Sequence, residues 1–349
     1  MKPASISAYG LTLCLLLAFL TPPGSQSDAA RTSASERIAY TLSLAAAAAA
    51  PDDRGADWDK FTAAGKFKGL DVARAVGALG NSQRVVAAFE EMGYRLDLLR
   101  EGYGTVPRVY LRALPSDLAD VDSSDLRKAL FIKSVLPPIL RVNEEILARR
   151  AVLVGYSQRI DAGLPLSDAE IAAVDDMSAL YDVKAANRAA VLHELLRRVD
   201  IVPPSLALTQ AALESGWGTS RYAQEGNALF GQRAFNDTVE SLVSRHTKPA
   251  DVQRMRSFDS LLSAVRAYAH NLNSHPAYAE FRAQRADMRR KSNGGTPDGD
   301  ALARTLLRYS ERGLSYTADL RQLMRTNGMR KFDEAHLEPG GSNTQLASR

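Results

Sequence analysis

Between Pro204 and Gly216 the chain carries one charged side chain, Glu214, in a run that apart from Gln210 is apolar or small. Pro203-Pro204 can open a helix, while Gly216 and Gly218 are poor helix residues. The stretch therefore reads as one short helix, with Ser205 as a plausible N-cap. A helix of this composition belongs inside a core, so the rest of the chain has to cover it. Glu214 falls in its last turn, followed at once by Ser-Gly-Trp-Gly.

The remaining sequence is compatible with that demand. Its 349 residues suggest two ordinary domains, and 45% apolar with 24% charged residues is a globular composition. Abundant Ala and Leu lean toward helix. Val72, Val76 and Leu79 recur at helical spacing. Asn81 can cap a helix through Val85, Val86 and Phe89, with Gly93 to end it. Val106 to Leu111 is a short β-rich run. Asp122-Ser123-Ser124-Asp125 offers an N-cap for a long helix carrying Leu126, Leu130, Ile132 and Val135. Pro137-Pro138 should kink or restart that helix before Ile139, Val142, Ile146 and Leu147 continue the stripe. From about Asn187 a second unit begins, with Ala190, Leu192, Leu195, Leu196 and Val199 on a core-facing helix.

The N-terminus reads as an address. No residue from Pro3 to Ser27 is charged, and Leu11 to Leu20 is an apolar core followed by Thr-Pro-Pro-Gly and small residues. That pattern fits a signal peptide over residues 1–27, or an uncleaved membrane anchor there. A second apolar stretch, Ile38 to Ala50, leaves the cleavage site open. Residues 28–57 read as a linker. The expectation is export, to the periplasm or to an inner-membrane anchor facing it, with possible N-terminal membrane contact.

Several chemistries drop out. Cys14 is the only cysteine and lies in the apolar leader, so neither a disulfide framework nor a thiolate metal site is available. The histidines are scattered, and His270 and His275 do not share a helical face at i,i+4. No His-Glu-x-x-His or Gly-x-Ser-x-Gly motif occurs. We expect no metal and no cofactor. The net charge of +4 suits an anionic partner in a general way. No dense basic block interleaved with aromatics supports nucleic-acid binding.

What remains is Glu214. A helix C-terminus carries partial negative charge, which disfavours an ionised carboxylate there, and apolar neighbours such as Trp217 add desolvation. A carboxylic acid kept protonated is what a glycosidase uses to protonate a leaving oxygen. Trp217 offers a flat apolar face, and two glycines let backbone approach a ligand.

The stretch Ala-Leu-Glu-Ser-Gly-Trp-Gly-Thr-Ser at 212–220, with Asn-Ala-Leu-Phe-Gly at 227–231, resembles the signature of the mannosyl-glycoprotein endo-β-N-acetylglucosaminidase superfamily, and its Bax protein branch in particular. Further matches are Val106-Pro107, Leu114-Pro115-Ser116-Asp117-Leu118, Phe131-Ile132, Leu136-Pro137 and Asn143 followed by Ile146-Leu147 and Arg149. Asn271 to Tyr278 and Tyr309-Ser310-Glu311-Arg312-Gly313 also fit. The resemblance spans roughly 105–330. It implies a mainly α protein: a lysozyme-like catalytic domain with a short β-hairpin lobe over 187–335, preceded by a helical accessory region over 58–186 and followed by a polar tail, 336–349.

The same resemblance implies cleavage of peptidoglycan glycan strands at the β-1,4 bond after N-acetylglucosamine. Glu214 would be the general acid. Trp217 and Phe230 would shape the groove, with Asn227 among the substrate-binding residues. Tyr316, or else Tyr309, would match the aromatic hydroxyl that supports the reaction centre. Where related domains carry Asn directly before Leu-Phe-Gly, this chain has Ala228, and their Thr-Glu-Tyr triplet has no counterpart between Val239 and Phe258. Asp237, Glu240 and Asp251 are the acidic residues near that region. An inverting and a substrate-assisted mechanism both remain open. The alternatives are a wall-binding protein without turnover and a lytic transglycosylase.

Overall fold

The apolar stripe through Leu130 and Ile146 forms the axis around which the other helices gather. A computed structural model of the chain describes residues 81–234, 240–243, 254–292 and 294–339. The leader, the linker, the 72–79 periodicity, Asp237 and Asp251 lie outside those residues. Helix α1 (Asn81–Glu91) and the short α2 (Leu96–Arg100) come first, with Gly93 at φ 64° ending α1 as its sequence suggests. Helix α3 (Ser124–Asp161) follows, and the Ser123 side chain accepts from the Leu126 N–H as its N-cap.

From Leu130 to Ile146, α3 is buried on nearly every side. Pro137-Pro138 does not break it: the helix runs unbroken for 38 residues. The two prolines cannot donate to the carbonyls of Lys133 and Ser134. Both rings are buried, and the packing of neighbouring helices along this stretch holds the helical path that the missing hydrogen bonds would otherwise weaken.

The helices that cover α3 are α5 (Arg188–Arg198), α6 (Pro204–Ser215) and α8 (Leu261–Ser274). Helix α4 (Asp168–Leu180) packs on α5 and begins with a capping box between Ser167 and Glu170. The short α7 (Arg221–Gly226) leads to the hairpin, and α9 (Ala279–Lys291), α10 (Gly299–Ala303) and α11 (Leu314–Thr326) complete the chain.

Polar ties reinforce the seam between α3 and its neighbours. Asn143 exchanges two hydrogen bonds with the backbone of Val202, at 2.9 and 3.2 Å. Buried Glu145 takes Arg266 of α8 in a bidentate pair at 2.8 and 3.1 Å. At the end of α5, fully buried Arg285 donates to the carbonyls of Arg197, Arg198, Asp200 and Ile201, satisfying a helix C-terminus that water cannot reach.

Residues on both sides of position 187 therefore share one core, which runs from Phe89 and Leu130 to Leu206 and Leu320. The unit that begins near Asn187 packs its helices directly on α3. The apolar face of α3 is too long to be covered by residues 81–186 alone, and α5, α6 and α8 cover it.

The β content is small. Strands β1 (Ser241–Val243) and β2 (Arg254–Arg256) pair antiparallel, with Leu242 opposite Met255. Residues 232–234 extend this lobe: Arg256 donates to the Gln232 carbonyl and Ala234 to that of Arg254, both at 2.9 Å. The β-rich run at Val106 to Leu111 contributes one residue to pairing. Val106 bridges Leu337 in parallel, so the start of the expected polar tail is tied to the accessory segment. The protein is thus mainly α with a short hairpin lobe. No helix among the described residues is long and apolar enough to cross a membrane.

Candidate active site

Helix α6 starts two residues earlier than its composition suggests. Pro203 is the N-cap and Pro204 the first helical residue, where a missing N–H costs nothing. Ser205 is inside the helix, and its N–H donates to Asp333 Oδ1 at 2.8 Å. The cap is thus supplied from the far end of the chain. Burial pushes the Asp333 carboxyl up to about 6, against the lowering effect of that hydrogen bond.

The other end of α6 makes an abrupt turn. Gly216, Trp217 and Gly218 all have positive φ, at 60°, 58° and 78°. For a bulky residue such as Trp217 this is a strained conformation. Local bonds hold it: Trp217 N–H donates to the Ala212 carbonyl at 2.8 Å, and Gly218 N–H to Ser215 Oγ at 2.8 Å. Packing holds it too. A Cβ on Gly218 would lie 2.4 Å from Leu114 Cδ1 and 3.0 Å from Phe131. Leu114 and Phe131 belong to the segment before 187, which therefore backs the turn.

That turn leaves Glu214 half-buried, facing the loop 227–231. Gly231, at φ 65°, passes so close that a Cβ there would sit 2.9 Å from Glu214 Oε2. The hydroxyl of buried Tyr316 of α11 lies beside the Glu214 carboxyl and lowers its pKa. The Tyr316 hydroxyl also accepts from Gln210 Nε2 at 2.9 Å, and Gln210 Oε1 accepts from the Tyr268 hydroxyl at 2.6 Å. Tyr309 stacks on Tyr316, with centroids 5.6 Å apart, and donates to the Phe230 carbonyl at 2.9 Å.

Burial raises the Glu214 carboxyl above the ordinary range; the Tyr316 hydroxyl and the charge of Arg312 lower it in part. Tyr316 itself is raised by burial and by the Glu214 charge, so it remains a hydroxyl and a donor. A carboxyl that holds its proton more tightly than usual, next to groups that stabilise the carboxylate left behind, is suited to protonating an oxygen approaching from solvent. Among the described residues, no group of three His, Cys, Asp or Glu could hold a metal.

Glu214, Tyr316 and Tyr309 thus come together. Two residues expected to touch substrate are placed otherwise. The Phe230 ring is 2% exposed and stacks on Tyr268 at 3.9 Å, so it sets the loop from inside the core. Asn227 ends α7 in the left-handed conformation, is 7% exposed, and donates to the Phe258 carbonyl at 2.9 Å, tying the loop to the hairpin lobe. Both positions are spent on fixing Gly231 against Glu214. Trp217 is half-buried: it meets Phe131 edge-on at 5.6 Å, with Lys128 Nζ 5.3 Å from its ring centroid. Its ring faces a cleft lined by Ala119, Ser124, Arg127 and Lys128 from the segment before 187. Glu240 is exposed, and its backbone carbonyl accepts from the Ser257 N–H at 2.9 Å.

Sequence reasoning passed over Gln210, Tyr268 and Gly231. Gln210 left a signal: it lies four residues before Glu214, hence on the same helix face, as the one amide in an apolar run. Tyr268 left none, because only the packing of α8 on α6 brings it near.

Residues 189–328 match the family described as mannosyl-glycoprotein endo-beta-N-acetylglucosaminidase. The chain is also 36% identical over 202 residues to Protein bax of Escherichia coli (strain K12), across 57% of this chain and 69% of that one. The chain belongs to the Bax protein family. A crystal structure of a peptidoglycan hydrolase from Sphingomonas sp. A1 is similar at 26% identity over 48% of this chain and 93% of that one, with a TM-score of 0.28. In this Bax-family chain the glucosaminidase match begins at α5 and ends after α11, so it contains Glu214, Gln210, Tyr268 and Tyr316. Helix α3, which the fold needs, lies before it. The matched region is a glycoside hydrolase domain of the glucosaminidase type.

Proposed function

We propose that the protein hydrolyses the glycan strands of peptidoglycan at the β-1,4 bond after N-acetylglucosamine, with Glu214 as general acid. The observation that carries this reading is the placement of Glu214: at the end of a buried helix, raised by burial, and beside the Tyr316 hydroxyl. In the proposed reaction Glu214 protonates the leaving glycosidic oxygen, and Tyr316 and Arg312 stabilise the carboxylate that results. Tyr309 keeps the Phe230-Gly231 backbone in place against Glu214. This substrate requires export, which the uncharged N-terminal stretch would direct.

Purified protein should release new reducing N-acetylglucosamine ends from peptidoglycan, and Glu214→Gln should abolish release while binding to sacculi persists. General acids contribute roughly 10²–10⁴-fold, so loss should reach that range. Binding by both proteins with no new ends from either would favour a wall-binding role. Anhydro-muramyl products, read by mass spectrometry, would favour a lytic transglycosylase.

A further inference from the structure

The groups around Glu214 have a direction. Tyr268 is 1% exposed and its hydroxyl donates to Gln210 Oε1 at 2.6 Å. That bond leaves the Gln210 amide with its N–H side toward α11, where Nε2 donates to the Tyr316 oxygen at 2.9 Å. The Tyr316 oxygen is thereby used as an acceptor, and its single proton is left for Glu214. Gln210 is fully buried and sits one helical turn before the acid on the same helix, so acid and amide move as one body. A buried amide in an apolar helix is costly unless both of its ends are bonded, and here both are.

We propose that Gln210 is the positioning residue of this site: its amide, fixed by Tyr268, turns the Tyr316 hydroxyl so that its proton points at Glu214. This rests on the reading of Glu214 as the acid. Without the Gln210 N–H, the Tyr316 hydroxyl can rotate away, and the carboxylate formed on proton transfer loses its donor. Burial then acts on Glu214 with less opposition, and the acid holds its proton to higher pH. The groups that face Glu214 are Tyr309, Arg312 and Tyr316 from α11 and the turn before it, Tyr268 from α8, and Tyr278 from the turn after α8. Of these, Tyr316 is the one whose hydroxyl accepts from the Gln210 N–H.

The test is a double-mutant cycle, Gln210→Met with Tyr316→Phe, in the full chain. The first readout is the titration midpoint of the Glu214 side-chain carboxyl carbon by NMR, which needs no turnover. Gln210→Met should raise the midpoint in the parent protein and leave it unmoved in the Tyr316→Phe background. Tyr268→Phe should give a smaller shift in the same direction. Where turnover is measured, Gln210→Met should lower kcat about tenfold, with KM little changed, and move the alkaline limb of the pH profile upward. An unmoved midpoint, or equal shifts in both backgrounds, overturns the proposal. Absence of turnover in the parent protein would instead overturn the hydrolase reading, and the titration would still decide the role of Gln210.

Discussion

The segment from 81 to 186 and the segment from 187 to 335 have opposite relations to chemistry and to packing. The later segment carries Tyr316, Arg312 and Gly231 beside Glu214, while the earlier one carries α3, the helix on which the later segment folds. The difference teaches that a catalytic domain recognised by motif need not be a folding unit. Leu114, Leu118 and Phe131 from the earlier segment pack under Gly218, and Asn143 and Glu145 bond Val202 and Arg266. An accessory region placed this way supports the site from behind.

The largest expected effect breaks the comparison outright. A fragment covering 187–349 leaves α5, α6 and α8 without the helix they cover, so each exposes an apolar face. It should fail to give a cooperative thermal transition and should show no glycosidase activity. Activity equal to that of the full chain would show that α3 is dispensable and restore the picture of two independent units.

Two glycine substitutions sharpen it next. Gly231→Ala places a methyl 2.9 Å from Glu214 Oε2 and should move the acid. Misplacement of about 1 Å costs on the order of 10²-fold in rate, so turnover should fall by about that factor with a modest loss of stability. Gly218→Ala meets Leu114 Cδ1 at 2.4 Å instead. Overpacking and the left-handed conformation together should cost about 3 kcal/mol, read as a lower denaturant midpoint. The later segment would thus register its damage in rate and the seam in stability. If Gly231→Ala were the more destabilising and Gly218→Ala the less active, the division of labour would be reversed.

Much of this was legible in the residues, for reasons that also explain what was not. Helices α1, α3 and α5 announce themselves by periodicity, and α3 also by its N-cap at Ser123, signals that act within a few positions. Glu214 announces itself by the same local logic, a lone carboxylate before Gly-Trp-Gly. Long-range facts left no local trace: the Asp333 cap on α6 joins residues 128 positions apart, and the Gln210–Tyr316 bond joins residues 106 apart. At Pro137-Pro138 the helix does not restart, because tertiary packing outweighs the local rule there. Phe230 misled because a motif position can serve a site through the core.

The two carboxylates at the ends of α6 give the smaller effects. Asp333 is raised from 3.8 to about 6 by burial, so its charge is disfavoured in the folded state. The native protein then holds the proton more tightly than the unfolded chain, and stability falls as pH rises from about 4 to about 6. Asp333→Asn keeps an acceptor for the Ser205 N–H and removes the penalty. Discounted for partial exposure, it should stabilise by about 1–2 kcal/mol at neutral pH and by nothing near pH 4. A variant destabilised at neutral pH would mean that the helix N-terminus needs the charge.

Glu214 differs in having a hydroxyl and Arg312 to offset its burial, and an open side toward solvent, so its penalty should be the smaller one. The sign is nevertheless the same. Its folded value lies above the unfolded one, so the cost of its charge is present at neutral pH and disappears below the ordinary Glu range of about 4.3. Glu214→Gln keeps an acceptor for Tyr316 and should melt slightly higher than the parent at pH 7, with the two curves converging in acid. A Tm that falls at pH 7 would mean that Tyr316 and Arg312 favour the carboxylate more than burial opposes it. Glu214 would then be ionised at rest, suited to stabilising positive charge and unsuited to donating a proton. This small difference in melting temperature therefore bears on the choice between acid and counter-charge without any measurement of turnover.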